Sequence, residues 1–89
     1  MVSDIQVLKE LKSQGDKIPE TLPLSGWVQS KTLADSLRQG VDFQASATSV
    51  AGKLRYLRTL GFVEYNYFYP HGGYWRITPG GKKRLKNGE

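Results

Sequence analysis

The sequence predicts an α+β domain: a three-helix core, a small antiparallel β-sheet and a short C-terminal helix. Three observations carry that expectation. In 46–60, apolar residues recur at spacings of three and four, the period of a helix with one buried face. In 62–78, two aromatic-rich runs flank His71-Gly72-Gly73, the pattern of a hairpin. The chain has 89 residues, is 38% hydrophobic and holds no cysteine. One small core without disulfides must therefore hold it together, and 1–89 is expected to be a single domain.

The elements follow in order. Ser3 begins a capping box with Gln6, because each side chain can reach the other's free backbone N–H. Ile5, Val7, Leu8 and Leu11 form an apolar stripe, and Gly15 is expected to close this first helix. Pro19 and Pro23 bar a regular helix over 16–26. Ile18, Leu22 and Leu24 are too apolar for a free linker, so this segment should pack down. Residues 26–28 can supply a short first strand, with Trp27 expected in the core. Ser30 is the expected N-cap of a second helix over 30–39, buried through Leu33, Ala34 and Leu37 and stopped by Gly40. The link 40–45 is longer than the three- to four-residue turn of a helix-turn-helix, and Val41 and Phe43 are expected to plug the gap it leaves.

In the third helix, Ala47, Val50, Ala51, Leu54 and Leu57 share the inward face. Ser46 or Thr48 can cap it, and Gly61 can end it in a left-handed conformation. Ser49, Gly52 and Tyr56 fall on the opposite face, with Thr48, Lys53, Arg55 and Thr59 on its shoulders. The first hairpin arm alternates Val63, Tyr65, Tyr67 and Tyr69 against Phe62, Glu64, Asn66 and Phe68, and neither row is polar. Those rings fit sheet and core packing, a dimer surface, or stacking platforms for unpaired bases. On the return arm Trp75 and Ile77 should face the core and Arg76 should point away from it. Thr78-Pro79 reads as a cap followed by a first-turn proline. Gly80 and Gly81 would leave the next amides open to a phosphate. Lys82, Lys83, Arg84 and Lys86 follow, with Leu85 the one apolar anchor. The expected core is Leu8, Leu11, Trp27, Leu33, Leu37, Val50, Leu54, Leu57, Val63 and Ile77.

Charge is distributed unevenly. Residues 1–45 carry five basic and six acidic side chains, whereas 46–89 carry eight basic and two acidic. The net +5 is thus concentrated on the third helix, the hairpin and the tail, as a phosphate-facing surface requires. No apolar run approaches the roughly 18 residues of a membrane span, and the N-terminus lacks the apolar region of a signal peptide, so a cytoplasmic location is expected. A single histidine, no cysteine and no paired carboxylates argue against an enzyme and against a metal site; no cofactor or small-molecule ligand is expected.

"LRYLRTLGFVEY" followed by "GYWRITPGGKKRL" resembles the winged-helix DNA-binding family, especially MarR-like and similar small prokaryotic, archaeal and phage regulators. The residues that carry the likeness are Leu57, Leu60, Gly61, Phe62, Val63, Ile77, Thr78, Pro79 and Gly81. It covers the C-terminal half in residues and the first half by element order. It implies a winged helix-turn-helix fold and a double-stranded DNA partner, with helix 46–60 in the major groove and wing 62–78 on the backbone or minor groove. The implied contacts are Thr48, Ser49, Gly52, Lys53, Arg55 and Tyr56 on the helix, His71 and Arg76 on the wing, and Lys82 and Lys83 beyond it. A small transcriptional regulator is one expectation, with a homodimer left open. The same fold also serves as a protein-binding module of replication or transcription assemblies, which is the alternative.

Overall fold

The computed structural model describes residues 3–40 and 46–88, without the side chain of Ala47. The positions expected to plug the link, Val41 and Phe43, lie outside the described residues. The described chain is α+β, with four helices and a two-stranded hairpin in the order α1 (Asp4–Asp16), α2 (Ser30–Gly40), α3 (Ala47–Thr59), β1 (Val63–Phe68), β2 (Gly72–Ile77) and α4 (Pro79–Gly88).

Local chemistry sets most of the boundaries. Ser3 and Gln6 form the capping box at α1, and the helix runs through Gly15 to Asp16 rather than closing at the glycine. Ser30 is the first residue of α2, not its cap: the Gln29 carbonyl already accepts the Leu33 N–H, at 3.1 Å. At α3 the cap is Ser46, whose hydroxyl accepts the Ser49 N–H while Ser49 returns the bond. Gly61 ends that helix at φ +80°.

The hairpin is antiparallel and pairs Val63 with Ile77, Glu64 with Arg76, Tyr65 with Trp75, and Tyr67 with Gly73. Gly72 and Gly73 thus belong to β2, and the turn is 69–71. The short strand expected at 26–28 is a single bridge. Val28 and Trp75 exchange two backbone hydrogen bonds of 2.8 Å, so β2 has a partner on both edges at that point.

Of the ten residues expected in the core, nine are buried and Trp27 is not. Leu8, Leu11, Leu33, Leu37, Leu54 and Leu57 have no exposed surface; each contributes about 2 kcal/mol by burial. Val28, beside Trp27, takes the core position instead. Trp27 is half-buried, edge-on to Phe68 at 5.2 Å and beneath the Arg76 guanidinium at 4.3 Å. Its indole covers the flank of the hairpin rather than the centre of the domain. In the 16–26 segment Ile18 and Leu24 are partly covered, but Leu22 stays 51% exposed, so that segment packs down incompletely.

Polar contacts join α1 to α2. Ser36 donates to Glu10, and the Gln14 amide lies 2.9 Å from both Glu10 Oε1 and Ser36 Oγ. Burial works to raise the Glu10 pKa. The hydrogen bonds from Ser36 and Gln14, with Lys17 nearby, outweigh it and hold the carboxyl below its ordinary value.

The junction between α3 and α4 explains the 61–62 and 78–81 residues physically. Thr78 Oγ1 donates to the Gly61 carbonyl at 2.6 Å and accepts the Gly81 N–H at 3.0 Å; the Thr78 N–H donates to the Phe62 carbonyl at 3.0 Å. Gly81 is buried, and a Cβ there would run into the Phe62 carbonyl and lie 2.7 Å from Ile77 Cγ1. The expectation that Gly80 and Gly81 open helical amides to a phosphate is therefore corrected at Gly81. Its amide is already bonded, and the missing side chain admits the 61–62 backbone. Leu85, one turn on, is buried and anchors α4 to the core.

Candidate nucleic-acid interface

α3 is held on its inward side by Val50, Leu54 and Leu57, and packs against α1, α2 and β1. Thr48, Ser49, Gly52, Arg55, Tyr56 and Thr59 are exposed. Their spacings of three and four make one stripe along the outer face. Among the described residues nothing lies within 4 Å of the Cβ position at Gly52, so the middle of the stripe is open. Tyr56 is 53% exposed, and the helix holds no acidic residue. Arg55 has no acidic partner among the described residues.

Two expected contacts are engaged elsewhere. Lys53 is half-buried, and its ammonium lies 3.0 Å from Asp4 Oδ1 at the start of α1. It ties α3 to α1 rather than extending from the outer stripe. Arg76 Nε donates to Glu64 Oε1 at 2.6 Å, its Nη2 pairs with the same carboxylate, and its guanidinium stacks on Trp27. Glu64 and Arg76 are directly opposite in the ladder, the placement in which opposite charges stabilise a sheet. An arginine bound to a carboxylate and an indole has fewer donors left for a phosphate.

His71 is exposed at the hairpin turn. That turn is tethered, since its carbonyl accepts from the Gln29 amide at 3.3 Å, just before α2. Lys82 and Lys83 are exposed on α4, whose main packing partners are α1 and β2. The outer stripe therefore brings together Thr48, Ser49, Gly52, Arg55 and Tyr56. Lys53 is paired with Asp4 of α1, Arg76 with Glu64 inside the hairpin, and Lys82 and Lys83 sit on another helix.

The aromatic rings of the first hairpin arm, for which core packing, a dimer surface and base stacking were all open, are in part exposed. Tyr65 and Tyr67 are 39% and 59% exposed on the hairpin, and Leu60 at the end of α3 is 46% exposed. The Arg58 guanidinium lies 5.8 Å from the Tyr65 ring centroid, and Tyr65 packs on Trp75 at 4.9 Å. The signal was present in the first arm, where neither alternating row is polar. The rings on its core-facing row extend beyond the edge of the core.

Among the described residues no three His, Cys, Asp or Glu side chains group as metal ligands, and no helix is long and apolar enough to cross a membrane. Comparison with protein-family models, curated proteins and solved structures finds no match.

Proposed function

We propose that this chain is a winged-helix protein that binds double-stranded DNA, acting as a small transcriptional regulator. The observation that carries the proposal is the outer stripe of α3: exposed, open at Gly52, bearing Arg55 and Tyr56, and free of acidic residues. A helix lying in a major groove needs such a face, because side chains must reach base edges without a carboxylate facing the phosphates. Thr48, at the N-terminal end of the helix, contacts an adjacent phosphate, while the Ser49 hydroxyl holds the cap with Ser46. Arg55 and Tyr56 read base edges. The hairpin lies along the backbone, with His71 at its turn. Lys53 and Arg76 support this arrangement through Asp4 and Glu64 rather than reading DNA.

Selection from a random duplex pool, followed by anisotropy titrations on the recovered site, tests the proposal. An enriched motif is expected, with affinity falling as salt rises from about 50 to 200 mM through counterion release. Arg55→Ala should cost roughly 1–3 kcal/mol on the selected site and relax one position of the motif. Lys53→Ala should leave the motif unchanged. No enrichment and a salt-independent signal would remove the DNA reading. They would favour a protein-binding winged helix, a role suited to the exposed tyrosines of the hairpin.

A further inference from the structure

The duplex reading uses the outer stripe of α3 and leaves the aromatic face of the hairpin unexplained. Tyr65 and Tyr67 alternate onto one face of β1, about 7 Å apart along the strand. Trp75 and Gly73 stand opposite them. The Tyr65 ring is fixed in place: it packs on Trp75 and lies across Gly73, where a Cβ would come within 2.6 Å of its Cε2. Tyr67 faces a glycine across the ladder, so no side chain opposite covers its ring, and it is 59% exposed. Tyr67 also borders a hollow at the hairpin end, lined by Leu22, Pro23, Phe68, Tyr69 and His71.

Charge distinguishes this face from an ordinary apolar patch. Arg58 lies over Tyr65, and Arg55 is exposed one turn earlier on α3. Across α3, β1 and β2 the one carboxylate is Glu64, which alternates onto the other face and is bound to Arg76. Ordered aromatic rings flanked by cations and free of carboxylates match the chemistry of a single strand. Every base has a face to stack, and every nucleotide brings a negative charge.

We propose that the Tyr65–Tyr67 face is a stacking platform for unpaired bases, so that the protein prefers duplex ends or junctions carrying a single-stranded extension. The duplex part of this preference rests on the reading above; the stacking part does not. The test compares, by anisotropy, a blunt duplex, the same duplex with a short oligothymidine tail, and oligothymidine alone. The tail should tighten binding about tenfold, the scale of one stacked base. Tyr67→Leu should abolish the difference between tailed and blunt duplex, whereas Tyr67→Phe should keep it. Among the described residues Tyr67 makes no ring–ring contact, so the variants should fold as the parent does. Equal affinity for blunt and tailed duplexes, or a gain that survives in Tyr67→Leu, overturns the platform while leaving the duplex reading intact. Binding of oligothymidine without binding of duplex does the reverse. Sedimentation velocity supplies the remaining outcome: a wild-type dimer that Tyr67→Leu converts to monomer shows that a second copy covers this face, and overturns the proposal.

Discussion

Gly52 and Gly81 each sit inside a helix and would be read alike from the sequence, as sites where a bare backbone admits a ligand. Their surroundings are opposite. A side chain at Gly81 would strike the Phe62 carbonyl and Ile77, whereas one at Gly52 would meet nothing within 4 Å among the described residues. The first glycine belongs to the sealed side of the molecule, where α4, the 61–62 backbone and β2 meet. The second belongs to its open face. A missing Cβ marks close packing in one case and unfilled space in the other, and only the neighbouring elements reveal which.

The largest effect expected from this contrast is at the sealed side. Gly81→Ala has no flexible side chain to push aside, because the nearest obstacle is backbone. Relief requires moving α4 away from Phe62, and that strains the Thr78 hydrogen bonds to Gly61 and Phe62. A loss of about 3 kcal/mol is expected, at the upper end for an overpacked site. Urea unfolding measures it. A loss below about 1 kcal/mol would mean that the junction is looser than its geometry implies.

The joint between α1 and α2 is a second packed contact, and charge tests it. Glu10 is held below its ordinary pKa, so its ionised form is stabilised by folding. That contribution is present above the unfolded-state value of about 4.3 and is lost as pH falls through the lower folded-state value. Glu10→Ala should cost about 1.5 kcal/mol at pH 7 and flatten the acid limb of stability against pH. A variant whose acid limb matches the wild type would show that other carboxylates govern it.

The two sides were also unequally legible in sequence. Leu33, Leu37, Val50, Leu54 and Leu57 could be placed because burial follows helical period, and Ser3 and Ser46 because capping is local. Trp27 and Val28 were exchanged because adjacent residues in a one-residue bridge have no period to separate them. Lys53 and Arg76 were expected on the ligand surface because counting charges does not show pairing. Asp4 lies far from Lys53 in the chain, and Glu64 meets Arg76 only once the hairpin register is known. The α3 stripe was legible for the same reason as the core: it is what remains when one helical face is buried.

The smallest stability effect is expected at Gly52, and it bears most directly on the proposed function. Alanine in an exposed helix interior is favoured over glycine by about 1 kcal/mol, since glycine loses more backbone freedom on folding. With nothing near its Cβ, Gly52→Ala should raise stability by up to that amount. The glycine lies between Ser49 and Tyr56 on the outer stripe, where a groove wall would approach the helix most closely. If α3 enters a major groove, the added methyl should weaken duplex binding even as it stabilises the fold, and Gly52→Leu should weaken it further. Measuring urea midpoints and duplex affinity on the same two variants separates the effects. Opposite signs for stability and affinity are expected. Variants more stable than the wild type that bind duplex equally well would mean that no ligand approaches α3 at Gly52, and the contact surface would have to be sought on the hairpin.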